Sequence, residues 1–190
     1  MPSISQPMPG LIASATSRLR ALARDERGVT AIEFGILALP FFTLILAILQ
    51  TAIMFLATQV LDSAVEDASR RVRTGEGAAY TLSDFRNYMC GFTFNLLDCS
   101  QIQIQSQVIS DFGSVNKAAP QTCNVTTCTW TAGWQNYGAV GCRSVVQVSA
   151  YYRYPLIVVL PYFNLKNQPD NYRLISAIRV FRSEPYNCTT

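Results

Sequence analysis

One carboxylate stands where carboxylates are rare. Glu33 lies within GVTAIEFGILALPFFTLILAILQTAIMFLATQ, residues 28–59, and from Phe34 to Leu61 no charged residue follows it. A carboxylate entering lipid is costly and usually finds a partner. Gly28 precedes it by five places. If the peptide bond after Gly28 is cut, Val29 gains a free amine one helical turn from Glu33, on the same face. In a packed array of such helices, that amine equally meets a neighbour's Glu33. Assembly then neutralises the charge and sets the subunit register. The blander alternative is a one-pass anchor with a chance glutamate at its rim.

Other chemistry finds little support. The chain has no histidine, which removes the commonest proton shuttle near neutrality and the commonest metal ligand. Cys123 and Cys128 are not spaced as a redox C-x-x-C pair, and no phosphate-binding G-x-x-x-x-G-K-[ST] run occurs. Asp98, Asp111, Asp170 and Glu184 are scattered and read as solvated turn or cap residues. We therefore expect no enzyme, no cofactor and no metal site. Asn124-Val-Thr and Asn187-Cys-Thr match the N-glycosylation pattern and read as chance sequons. The six cysteines, Cys90, Cys99, Cys123, Cys128, Cys142 and Cys188, all lie beyond the apolar stretch. An even count in an exported domain implies disulfides, with connectivity open. Cys90 and Cys99 either bridge locally, the favoured reading, or pair elsewhere. The stretch from Asp111 to Gly141 is long for a loop unless it works or is tied down. Its Trp130, Trp134 and Tyr137 form either a partner contact or the plug of a small core.

The elements that position these residues follow from hydropathy and charge. A net charge of +3 without a dense basic cluster argues against nucleic-acid binding. The apolar run exceeds the roughly 20 residues needed to cross a bilayer, and in lipid it must be a helix. It is too long for the core of a secretory signal. Pro40 lies inside it, as membrane helices tolerate. Arg18, Arg20, Arg24 and Arg27 precede it, which keeps that end cytoplasmic and sends the cysteines into an oxidising compartment.

QVLDSAVEDASRRVR, residues 59–73, continues the helix with an apolar stripe, and Gly75 and Gly77 mark its end. Glu66–Arg70 and Asp67–Arg71 are expected as i, i+4 ion pairs. The expected organisation is a cytoplasmic leader at 1–28, a transmembrane helix at 29–60, its extension at 61–75, and a disulfide-containing periplasmic domain at 76–190. A short helix over 81–88, capped by Thr81 or Ser83, puts Phe85, Tyr88 and Met89 on the core side. Alternation predicts strands at 100–108, 143–154 and 172–181, with Ile102, Ile104 and Val108 on one face of the first. Both faces of the second are partly apolar, as in a central strand. The run 156–160 is either a further strand or a hydrophobic lip near the membrane. The fold class is α+β, a long helix against a three- or four-stranded antiparallel sheet.

Gly28-Val29-Thr30-Ala31-Ile32-Glu33-Phe34, just after Arg24 and Arg27, resembles the processing site of type IVb prepilins of the Flp kind, with Phe34 where those pilins usually have tyrosine. The run ERGVTAIEFGILALPFFTLILAILQ, continuing to ASRRVRTG, is similar to the TadE-like (TadE/TadG) family. The segment Arg179-Val-Phe-Arg-Ser-Glu-Pro-Tyr186 resembles the close of its small, single-anchor members. The resemblance implies a pilin-like pseudopilin in the bacterial inner membrane, part of the tight-adherence secretion system that assembles Flp pili for adhesion and biofilm formation. It further implies cleavage by a prepilin peptidase after Gly28, Val29 as the new N-terminus, Glu33 as the assembly residue, and other pilin-like subunits and Tad assembly proteins as partners.

Overall fold

The computed structural model describes residues 28–138, 140–157, 163–186 and 188. All of the expected leader at 1–28 except Gly28, most of the run 156–160, and Asn187 of the second sequon lie outside them. Val29–Thr74 is one α-helix of 46 residues, α1, with Pro40 inside it. Among the described residues it is the one helix long and apolar enough to cross a membrane. The chain divides into two compact units, Met1–Leu46 and Ala47–Thr190.

In the described part of the first unit, α1 exposes its apolar side chains on every face, among them Ile36, Leu39, Phe42 and Leu44. Such a surface belongs in lipid or against other helices, not in water.

In the second unit α1 changes character. Met54, Ala57, Leu61, Ala64, Val65, Ala68 and Val72 are buried. Their spacing of three and four forms a stripe along one face. The buried stripe begins at Met54, within the segment expected from sequence to be wholly transmembrane. Gly75, at φ +86°, follows the last helical residue, as glycine commonly does at helix ends.

The stripe joins one core with a four-stranded sheet of β1 (Gln103–Ile109), β4 (Asn136–Tyr137), β5 (Val145–Pro155) and β6 (Tyr172–Arg182), in the order β4-β1-β5-β6. β5 is central and pairs antiparallel with both β1 and β6. The short β4 pairs parallel with β1, through Gln105 opposite Asn136. The sheet is therefore mixed rather than antiparallel, because the long connection from β1 lets the chain return in the same direction. β2 (Gln121–Cys123) and β3 (Cys128–Trp130) form a separate antiparallel hairpin within that connection. Ile102 and Ile104 are buried as expected from alternation, but Val108 is 47 % exposed. There β1 has outrun the core, and the exposed segment Ser110–Gly113 follows.

α2 (Leu82–Cys90) begins in a capping box. The Asp84 amide donates to Thr81 Oγ1 at 3.2 Å, and the Thr81 amide donates to Asp84 Oδ2 at 2.9 Å. Phe85 and Met89 are fully buried on its inner face, with Tyr88 partly buried beside them. A 3₁₀ turn follows at Cys99–Gln101.

The connection between β1 and β5 explains why both faces of β5 are apolar. It folds across the face that α1 does not use. Gln147, buried, accepts from the Asn116 amide at 3.0 Å and donates to the Asn116 carbonyl at 2.5 Å. Tyr151 Oη donates to Ala118 O at 3.2 Å, and Trp134 meets the Tyr151 ring edge-on at 5.5 Å between centroids. Disulfides join Cys90 to Cys99, Cys123 to Cys128 and Cys142 to Cys188, and no cysteine is left free.

β6 is an edge strand. Ser183 N bonds Ser144 O, and Leu156 N bonds Asn171 O. By alternation, the even-numbered residues of β6 then turn their backbone groups outward. At Leu174 those groups are taken by one side chain: the Leu174 amide donates to Asn167 Oδ1 at 2.7 Å, and Asn167 Nδ2 donates to Leu174 O at 3.2 Å.

Leu61 is fully buried, whereas Leu44 on the same helix is 60 % exposed. Leu61→Ala should destabilise the domain by about 2–5 kcal/mol. Leu44→Ala should leave domain stability in detergent unchanged. Urea unfolding followed by tryptophan fluorescence separates the two.

Candidate functional site

The first candidate is the start of α1. Val29 is its first residue and Glu33 lies one turn on. Gly28, Glu33 and Phe34 are exposed, and Val29 is 48 % exposed. Among the described residues, no ion pair or hydrogen bond engages the Glu33 carboxylate. A Cβ added to Gly28 would meet nothing within 4 Å. Packing within the described chain therefore gives no reason for glycine at 28 or glutamate at 33.

The second candidate is the connection carrying Trp130, Trp134 and Tyr137. Trp134 packs on Tyr151. Tyr137 packs on Phe85 at 5.1 Å between ring centroids and donates its hydroxyl to Gly77 O at 2.6 Å. Burial, with Tyr186 and Tyr80 nearby, pushes the Tyr137 phenol up to about 12. Both side chains therefore serve as plugs between the connection and the core. Trp130 is half-buried beside Arg153, whose guanidinium lies 5.6 Å from the Trp130 ring and 5.2 Å from the Tyr172 ring. Arg153 Nη1 donates to Cys128 O at 2.6 Å, tying the hairpin to β5.

Three arginines do structural work that periodicity did not reveal. Arg86 on α2 donates through Nη1 to Cys99 O and Ile102 O, at 2.7 and 2.8 Å, and through Nη2 to Gln135 Oε1. Burial lowers its pKa from the ordinary arginine value. Arg153 is the second. Arg179 on β6 is the third: its Nη2 lies 2.6 Å from Asp62 Oδ2, and its Nε reaches Glu66 Oε2. The expected Glu66–Arg70 pair is absent among the described residues, because Glu66 is taken by Arg179. Arg71 turns instead to Glu76, at 3.2 Å, and lies over the Tyr88 ring at 4.3 Å. One guanidinium reaching two carboxylates a turn apart is better placed than exposed pairs along a helix. The signal was visible only as an arginine between Ala177 and Phe181 on the core side of the strand.

Beside Arg179 runs an open groove of about 620 Å³, lined by Glu66, Arg70, Arg73, Phe181 and Glu184 among others. Arg73 Nε and Glu184 Oε1 pair across it at 3.7 Å. Among the described residues no group of three or more His, Cys, Asp or Glu could hold a metal ion.

A family model described as TadE-like protein matches residues 28–70. The match takes in Gly28, Glu33, the apolar run and most of the buried stripe, and leaves the sheet outside. TadE-like proteins are non-catalytic structural and assembly proteins. No curated protein and no solved structure matches the chain.

The Tyr137 hydroxyl yields a pH prediction. Its folded pKa lies above the unfolded value near 10, so its contribution is complete below about pH 10 and is lost as pH rises through about 12. Tyr137→Phe should cost about 1 kcal/mol at neutral pH, from the lost bond to Gly77 O. Its stability should then fall less than that of the parent between those two values, as read by urea unfolding across the alkaline range.

Proposed function

We propose that the chain is a pilin-like assembly protein of the TadE-like kind, held in the bacterial inner membrane by α1. Residues 1–28 form a cytoplasmic leader, 29–60 the anchor, 61–75 its extension and 76–190 a periplasmic domain. The protein supports assembly of Flp pili by the tight-adherence machinery, and so adhesion and biofilm formation. Its partners are lipid, the prepilin peptidase, other pilin-like subunits and Tad assembly proteins.

The observation that carries this reading is the corner at Gly28 and Glu33. Both residues are exposed and unused by the fold, yet they stand at the head of a helix matched by the TadE-like model. A peptidase that cuts after Gly28 accounts for the glycine. The Val29 amine of the same or a neighbouring helix accounts for the glutamate, which in lipid needs a cationic mate. The reading of a tethered receptor, with the loop from Asp111 to Gly141 and its Trp130, Trp134 and Tyr137 as the contact surface, has less support, since Trp134 and Tyr137 are spent on internal packing and only Trp130, half-buried beside Arg153, stays partly open.

The N-terminal residue of the membrane-extracted protein should be Val29. Glu33→Ala should abolish or sharply reduce surface pili while the protein stays membrane-bound and its domain keeps its stability. Normal piliation in that variant would refute the assembly role. Material that begins at Met1 or Pro2 would remove the processing step.

A further inference from the structure

The second unit holds a smaller cavity, of about 330 Å³, that shares no lining residue with the groove beside Arg179. Separate segments converge on it. The 3₁₀ turn brings Gln101, the β2–β3 hairpin brings Trp130, β5 brings Arg153, and Asp170 and Tyr172 come from the start of β6. Every lining residue is described and belongs to this one unit. The size is at the small end of cavities that hold small molecules.

The walls are aromatic. Trp130 and Tyr172 are both half-buried, and the Arg153 guanidinium lies over each ring, 5.6 and 5.2 Å from the centroids. A cation seated on π faces keeps its N–H groups for acceptors. Arg153 Nη1 donates to Cys128 O at 2.6 Å. Arg153 Nε is buried and has no hydrogen-bond partner among the described residues, a condition that native structures show for few donors.

Asp170 is the other charge on this lining. It is exposed, at φ +61° beside Asn171 at +58°. That left-handed turn accounts for a short polar residue. Among the described residues no hydrogen bond or ion pair engages its carboxylate. An arginine and an aspartate thus line one cavity without pairing with each other.

A ligand that suits this lining has an apolar face for an aromatic ring, an acceptor for Arg153 and a donor for Asp170. A simple anion meets the arginine but is opposed by the aspartate, and a simple cation meets the reverse. A sugar ring has all three features. Its C–H face packs on an aromatic ring, and each hydroxyl both accepts and donates.

We propose that this cavity binds a neutral sugar ring, with Trp130 as the packing wall, Arg153 as donor and Asp170 as acceptor. Trp130 is the tryptophan of its loop that stays partly open, whereas Trp134 packs on Tyr151. The site is built wholly within the second unit, and needs neither cleavage after Gly28 nor pairing of Glu33.

The full chain, in phosphatidylcholine–phosphatidylglycerol nanodiscs free of sugar-headed detergent, would be titrated with methyl glycosides of glucose, galactose, mannose and N-acetylglucosamine. Acetate would serve as the charged probe. Saturation-transfer NMR on the ligand reads binding without a tryptophan reporter. At least one glycoside should bind saturably at millimolar concentration. Asp170→Asn, at an exposed position, should weaken that binding about tenfold, as expected for a lost hydrogen bond to a charged group. Trp130→Ala should abolish it while urea unfolding shows the domain still folded; if that variant does not fold, Asp170→Asn decides alone. Failure of every glycoside to bind would overturn the proposal. Binding that these variants leave unchanged would put the sugar elsewhere and overturn it too, as would binding of acetate alone. Piliation of Glu33→Ala is independent of all these outcomes, so the assembly reading stands or falls separately.

Discussion

From Ala57 to Val72 one face of α1 lies under the sheet, and the rest of the domain is arranged to keep it there. Three of the buried positions are alanines, Ala57, Ala64 and Ala68, and between them stand Leu61 and Val65. Small residues bring the strands close to the helix axis, and the larger ones lock into the gaps. The facing strands supply Val146, Val148, Ala150, Ile175 and Ala177 to the same core. Where this face is lost, the strands have no other helix of comparable length among the described residues to cover them. α2 has 9 residues and buries two of its side chains. Arg179, bound to Asp62 and Glu66, pins the register of that contact from the sheet side.

Much of this was legible from residue order, for physical reasons. The stripe of α1 was readable because helical periodicity survives wherever one face is buried. The start of α2 was readable to within Thr81 or Ser83, because a cap satisfies backbone groups locally; Thr81, with Asp84, is the one that does so. β6 was readable from its alternation, and β5 because both of its faces are partly apolar, as a central strand requires. The parallel partner of β1 was not, since two residues carry no periodicity and the pairing depends on where a long connection returns. Nor was the cover over the second face of β5, which hangs on Gln147 gripping the backbone of Asn116. The partners of Arg86, Arg153 and Arg179 were hidden for the same reason: long side chains choose acceptors in space, not along the chain. The corner at Gly28 and Glu33 is the converse case. It was conspicuous in the sequence, and among the described residues nothing packs on it or pairs with it.

That contrast is informative about what the chain is selected to do. A buried stripe, a capping box and three disulfides answer to stability. Gly28 and Glu33, both exposed at the head of an apolar helix, have no such part in the packing among the described residues. The proposed processing and assembly roles are what would give them one. The match to the TadE-like model falls on the segment that contains both kinds of residue.

The amide of Asn167 clasped on Leu174 bears on life in a crowd. Domains anchored on parallel helices are confined to two dimensions and held in similar orientations, so the outer strand of one repeatedly drifts past its neighbours. A bare outer strand under those conditions invites sideways zipping into an uncontrolled ribbon. Asn167 imitates a neighbouring peptide at one end of that strand, and Arg179 Nη1 takes the outward carbonyl of Ile178 further along. Molecules blunted in this way can be brought to high local density by their helices without their sheets deciding how they associate.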